Sequence, residues 1–254
     1  MKISSDSSTD WQELGSTDPY WAVLTHERFR TGRITDSARR EFFGSGEEHV
    51  DSVMQTIRDS LVPDFAPTRA LDFGCGVGRI LLPLARRVPG AVGVDVAPSM
   101  LAEAKRNLAE QEVSAGLVLG DDALSQVQGD FDFIHSYIVL QHIPRVRGEK
   151  IVAGLLERLR PGGVAALHVT YDLGLSAAKR LFRQARLTAP FVGRAWNVVK
   201  RRAASTPYVE IYRYDIARLL EILRGEECTE VHGRLTDHGG LKGIFLFCRK
   251  VPMR

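Results

Sequence analysis

Three glycines at alternate positions, Gly74, Gly76 and Gly78, interrupt the run LDFGCGVGRI between Leu71 and Ile80. Glycine lets the backbone turn sharply and approach a ligand with no Cβ in the way. The run could therefore cradle a phosphate, turn tightly against another cofactor, or form a crowded strand-to-helix corner. No Gly-Lys-Ser/Thr follows, so the P-loop pattern is not met, and the third glycine comes one residue too early for the Gly-x-Gly-x-x-Gly nucleotide fingerprint. The next apolar run, AVGVDV, ends at Asp95. A carboxylate at a strand end can accept two hydrogen bonds from ribose hydroxyls, as in sites for dinucleotides and other adenosine cofactors. The pairing identifies a ribose and leaves open what is attached to it.

The elements that must position these residues are legible as an alternation. Strand-like runs at RALDF, AVGVDV, GLVLG, FDFIHS and GVAALHV are separated by helical patterns at RILLPLARRV, SMLAEAKRNLAEQ and EKIVAGLLERL. Such alternation predicts crossover units and a mostly parallel sheet covered on both faces, with ligands bound beyond the carboxyl ends of the strands. Ser99 is expected to cap the helix after Asp95, and the turn RPGG, 160–163, to end one helix and reopen the chain as a strand. Further on come a helix near 214–223, a strand near 229–233 and the run GIFLFCRK. The last two are expected to pair as an antiparallel hairpin across a long connection, 234–242. Ahead of the core, Val50, Val53, Met54 and Ile57 recur at helical spacing. The expected organisation is a helical N-terminal addition (1–62), a ligand-binding core (63–172), a basic lid insertion (173–209) and a C-terminal part of the core sheet (210–254).

A chain of 254 residues with 44% hydrophobic and 26% charged residues suits one sizeable core. Its three cysteines, Cys75, Cys228 and Cys248, are too dispersed to suggest a disulfide framework or a zinc site. No apolar run approaches the roughly 20 residues of a membrane span, and the start MKISSDSSTD lacks a secretory pattern, so a cytoplasmic location without integral membrane association is expected. The formal charge is +3, yet 173–209 alone holds eight basic residues and no acidic one, leaving the remainder net negative. An extended nucleic-acid surface explains that distribution poorly, and no nucleic-acid partner is expected.

Taken in order, LDFGCGVGR, the acid of GVDVAPSM, GDDAL, FDFIHSYIVLQHI and LRPGG resemble the S-adenosylmethionine-dependent class I methyltransferase family over roughly 69–169. The resemblance implies a Rossmann-like seven-stranded methyltransferase fold in the α/β class, with an antiparallel C-terminal strand, and S-adenosyl-L-methionine as cofactor. It places Gly74, Cys75, Gly76, Gly78 and Arg79 beside the methionine part, with Asp72 helping to hold its amino group. Asp95 would hold the ribose, with Val96 and Met100 against the adenine. Asp121, Asp122 and Ala123 would lie at the adenine edge, where Asp122 is favoured because an alanine follows it. Ser136 and Tyr137 would approach the sulfonium and the acceptor.

Methyl transfer from a sulfonium depends chiefly on alignment and desolvation, so a base is optional and matters most for a hydroxyl acceptor. The candidate bases are His142, His168, Tyr137, Tyr171 and Asp172. Packing competes with catalysis for His142 and His168. His26 and His49, with Tyr20 and Trp21, could line a cover over the site. No acid directly follows the fourth strand, so no metal is expected. The basic segment suits a lid, with Phe182, Phe191 and Trp196 over the acceptor, or a membrane-surface helix, or a contact between two copies in a homodimer. The expected function is metal-independent methyl transfer to an oxygen, less so a nitrogen, of a small molecule that can carry an anionic group. The alternatives are a non-catalytic S-adenosylmethionine-binding assembly or regulatory protein, and a methyltransferase acting on RNA or a peptide.

Overall fold

The computed structural model describes residues 7–174 and 210–252. The expected lid insertion therefore lies, apart from Leu173 and Gly174, outside the described residues. Helices α1 (Ser7–Thr17), α2 (Pro19–Val23) and α3 (Asp36–Ser60) precede the sheet. Strand and helix then alternate through β1 (Arg69–Phe73), α4 (Leu81–Arg87), β2 (Gly90–Asp95), α5 (Pro98–Glu110), β3 (Gly116–Leu119), β4 (Phe131–Ser136), α6 (Arg145–Glu157) and β5 (Leu159–Asp172). Helix α7 (Ile216–Gly225) and strands β6 (Cys228–His238) and β7 (Leu241–Lys250) complete the order. The seven strands lie as β3-β2-β1-β4-β5-β7-β6. Strands β1 to β5 pair in parallel, and β7 runs antiparallel to both β5 and β6. This is the Rossmann-like arrangement expected, with β7 reversed.

Each face of the sheet is closed by a different pair of helices. Leu71, Ile134 and Leu167 pack against Ile151 and Leu155 of α6 and Leu219 and Leu223 of α7. On the other face, Ala70, Phe133, Val164, Phe245 and Phe247 meet Val53, Met54 and Ile57 of α3 and Leu84 of α4. Burial of this kind stabilises a chain by about 25 cal/mol per Å² of apolar surface. The amphipathic spacing of α3 thus has a partner along its C-terminal half, while its N-terminus is capped by Thr35, whose Oγ1 accepts from the N–H of Ala38 at 3.2 Å. The N-terminal helices are also tied to α5, because the Tyr20 hydroxyl donates to Glu103 Oε1 at 2.7 Å. Burial and that carboxylate push the phenol up to about 12.

Three local expectations differ from the structure. Helix α5 begins at Pro98 after Ala97, not at a Ser99 cap; Pro98 presets the first helical φ, and the Ser99 hydroxyl turns to Gln12 of α1. The RPGG segment is absorbed into β5 as an irregularity against β4, with Gly162 at φ 80° supplying the left-handed residue. The hairpin connection is Gly239 and Gly240 alone, at φ 67° and 94°, so 234–238 belong to the β6 ladder and not to a long connection. Two successive positive φ angles give the twist that a two-residue hairpin needs.

Helix α3 crosses close to the start of α4 at Gly46. A Cβ there would lie 2.0 Å from the Arg79 carbonyl oxygen, so the two backbones touch only because position 46 is glycine. Gly46→Ala should lower the unfolding free energy by about 1–3 kcal/mol despite alanine's better helix propensity, as read from denaturant midpoints.

Candidate active site at the carboxyl edge of the sheet

Past the end of β1 the chain reverses through Gly74, Gly76 and Gly78, at φ 77°, 52° and 87°. Gly74 and Cys75 donate their N–H groups to the Val94 carbonyl at 2.7 and 3.0 Å, which folds the loop back over β2. Asp95 holds it there: Oδ2 accepts from Gly76 N–H and Oδ1 from Ala97 N–H, each at 2.9 Å. Burial raises the Asp95 pKa and these two N–H donors oppose it. The loop is covered closely, since a Cβ on Gly74 would meet Val139 at 2.3 Å and one on Gly76 would meet Val23 of α2 at 3.0 Å. Cys75 turns inward among Leu81, Leu82 and Ala91, and burial pushes its thiol well above its ordinary range, which removes it as a nucleophile.

Asp72, the residue before Phe73, is buried, and its Oδ1 accepts from His135 Nδ1 at 2.8 Å. His135 Nε2 lies 2.9 Å from His49 Nε2 of α3, so a polar chain runs from β1 through β4 to the N-terminal addition. The other carboxylate oxygen, Asp72 Oδ2, is buried without a partner. Arg79 is buried as well; its Nη1 donates to Ser45 at 3.3 Å while its Nε has no partner, and burial lowers its pKa.

Beyond β2, Val96 is exposed, whereas Met100 is buried with Phe42, Val77 and Ala97 under α1. After β3, Asp121 closes a turn by accepting from Ser125, which lowers its pKa. Asp122 instead takes two hydrogen bonds of 2.7 Å from Arg147 of α6, and Ala123 is exposed beside it. Ser136 ends β4 fully buried, its hydroxyl unpartnered.

The candidate bases separate by their surroundings. His142 has both ring nitrogens engaged, Nδ1 donating to the Glu210 carbonyl at 3.3 Å and Nε2 accepting from Gln141 at 3.1 Å, and Trp11 of α1 packs edge-on against it. Burial brings its pKa down to about 4 against that carbonyl contact. His168 is buried in β5 with Nε2 bound to Thr236 Oγ1 at 2.8 Å, and burial together with His238 and His135 lowers it to about 3. Tyr171 is partly exposed at the end of β5, next to Asp172. Tyr137 reaches over the sheet instead, its ring 4.2 Å from that of His49 and 5.1 Å from that of His168. Burial raises its pKa, and Arg79 and Arg234 pull the other way. The following residue, Ile138, sits at φ 60°. A β-branched side chain in that region carries strain of order 1–3 kcal/mol, the kind held at working sites.

The structure brings the glycine loop, Asp72, Asp95, Ser136 and Tyr137 to one edge of the sheet. It turns Met100 into packing and gives Asp122 to Arg147. Sequence reasoning missed His135, Arg234, Thr236 and His238. The first sits in a strand whose alternation would have placed it beside Asp72, and the other three were assigned to a connection. A separate cavity of about 380 Å³, lined by Arg69, Gly90, Ser114 and Gly116, lies at the amino ends of β1 to β3 and carries none of this chemistry.

Burial holds His49, His168 and His142 neutral, with pKa values down to about 2, 3 and 4. In the unfolded chain they titrate near 6.5, so their contribution is intact above about pH 6.5 and is lost as pH falls toward the folded values. The unfolding free energy should therefore drop between about pH 6.5 and 5, and His168→Gln should flatten that slope by about 1.4 kcal/mol per pH unit, read from denaturant titrations at each pH.

Comparison with known proteins agrees with this geometry. Residues 70–163 match the family described as a methyltransferase domain. Trans-aconitate 2-methyltransferase of Deinococcus radiodurans is 36% identical over 112 residues, 43% of this chain and 41% of that protein. The same enzyme of Methylobacterium nodulans is 31% identical over 156 residues, 61% of this chain and 57% of that protein. The chain thus spans about half the length of the curated relatives it matches. Among solved structures, magnesium protoporphyrin IX methyltransferase of Synechocystis PCC 6803, with bound S-adenosylhomocysteine, superimposes with a TM-score of 0.65 at 19% identity, covering 96% of this chain and all of that one. The N-methyltransferase NodS of Bradyrhizobium japonicum gives 0.58 at 16% identity, over 97% of this chain and 99% of that one. With the glycine loop and the acid ending β2 in place, residues 70–163 match a methyltransferase domain, and the seven-stranded order with its reversed β7 is the Rossmann-like methyltransferase fold.

Proposed function

We propose that this protein transfers a methyl group from S-adenosylmethionine to an oxygen of a small molecule, without a metal ion. The observation that carries the reading is the glycine loop held by Asp95 beside a buried carboxylate with one empty oxygen. That donor set fits the cofactor. Asp72 Oδ2, buried and unpartnered, is the group to face an ammonium. Asp95 keeps acceptor capacity at both oxygens for a ribose diol, and Arg79 Nε is an unmatched donor for a carboxylate. The bound cofactor supplies a methyl group activated on a positive sulfur. The chain supplies position and dryness: Val23 and Val139 close over the glycine loop, and Tyr137 forms the wall next to the end of β4.

Relatedness to trans-aconitate 2-methyltransferases and to ubiquinone biosynthesis O-methyltransferases supports a small molecule and an oxygen acceptor. Arg79 and Arg234, both acting on the Tyr137 phenol, favour an acceptor with an anionic group. Among the described residues no group of three or more His, Cys, Asp or Glu side chains could hold a metal ion, and no helix is long and apolar enough to cross a membrane.

Calorimetry with S-adenosylmethionine and its demethylated product tests the cofactor, and Asp95→Ala should weaken binding about tenfold or more through loss of charge-assisted hydrogen bonds. An unchanged dissociation constant would remove the ribose assignment. Transfer of labelled methyl to a panel of acidic and neutral hydroxylated metabolites, undiminished by a chelator, separates an enzyme from a binding protein that does not turn over.

A further inference from the structure

Three of the seven histidines, His49, His168 and His238, pack against the Tyr137 ring on the sheet face covered by α3, and a fourth, His135, joins them through His49. Their nitrogens are not equally available. His49 and His135 hold each other and Asp72, and His168 is buried with Nε2 on Thr236. His142, outside the group, is engaged at both nitrogens. His238 differs: it is exposed at the last position of β6, and its Nε2 lies 3.4 Å from the Tyr137 hydroxyl. Strand β6 runs parallel to β5, so its end reaches the same edge as the glycine loop. The hairpin turn packs there against the residues leaving β5, where a Cβ on Gly174 would come within 2.1 Å of the Gly240 carbonyl oxygen.

We infer that His238, held against Tyr137 at the hairpin tip, is the base that takes the proton from a hydroxyl acceptor. The inference rests on the methyl-transfer reading and narrows it to acceptors that reach the site as O–H, phenols and enols above all; a carboxylate would need no such residue. As the acceptor oxygen forms its bond to the methyl carbon, the carbon–sulfur bond breaks with its electron pair remaining on sulfur. The O–H proton passes to His238 Nε2, directly or by way of the Tyr137 hydroxyl, and leaves to solvent from the exposed ring. Imidazole is the side chain suited to this exchange near neutral pH, and a long hydrogen bond in a ligand-free site commonly tightens when the acceptor arrives.

The neighbours support a phenolate on this wall. Arg79 and Arg234 act on Tyr137, His49 of α3 and His168 of β5 are kept neutral by burial, and buried Phe245 of β7 packs behind Tyr137 with the ring centroids 5.4 Å apart. The remaining charges near the tip are Asp172 at the end of β5, Asp237 beside His238, and Lys242 of β7, which lies opposite both acids in register.

The test uses para-nitrophenol as the probe and reads its ionisation, not turnover. With the protein saturated by S-adenosylhomocysteine at about pH 6, where the free phenol is mostly protonated, the bound probe should show the phenolate absorption band, since the base holds its proton nearby. His238→Gln should abolish that band and weaken probe binding about tenfold, with the affinity for S-adenosylhomocysteine unchanged, and Tyr137→Phe should weaken it by a smaller factor. A probe that does not bind, that binds in its protonated form, or that behaves identically in H238Q overturns the assignment while the cofactor reading stands. Failure of the wild-type protein to bind S-adenosylhomocysteine at all removes the methyl-transfer reading itself.

Discussion

A carboxylate in the middle of a packed sheet has to be answered, and the pairing of Asp72 with His135 is that answer here. Both side chains are almost wholly buried, on neighbouring central strands held in parallel register. An unmatched charge at that position would cost several kcal/mol, so the histidine fixes where the carboxylate points. Its second nitrogen then needs a partner, which His49 supplies from α3. One hydrogen bond therefore sets the direction of the acid before the glycine loop, the pairing of β1 with β4 and the seat of the N-terminal helix. It leaves one oxygen of Asp72 unmatched at the site where a cationic ligand group is proposed to sit.

Much of the architecture was readable because it rests on strong local signals. The five core strands are short apolar runs broken by amphipathic helices, and α3 announces itself through Val50, Val53, Met54 and Ile57. The loop at Gly74 and its acid at Asp95 could be found by spacing alone, since left-handed backbone and a strand-ending carboxylate are constrained in type. Side-chain partnerships were less legible. Asp122 and Met100 have sequence contexts that suggest ligand contact, yet an arginine on α6 and an aromatic cluster under α1 claim them. Such claims come from residues distant in the chain, which periodicity does not reveal.

The C-terminal hairpin shows the same limit in a sharper form. Along β6 the apolar residues face out and the polar ones face in: Leu235 is 71% exposed, while Arg234 and Thr236 are half-buried beside Phe245 and His168. A strand read by its hydrophobic face is invisible when that face is turned to solvent. The inversion follows from what lies beneath it, because the sheet here carries imidazoles and a phenol that need hydrogen-bonding neighbours.

Helix α1 touches both halves of the ligand edge. Gln12 and Gly15 rest on the start of α5, and Trp11 rests on His142 after β4. Displacing the helix from one of these contacts also disturbs the other, so the segment after β2 and the segment after β4 are joined through it. This short N-terminal helix thereby ties the segments after β2 and β4, whose strands are not neighbours in the sheet.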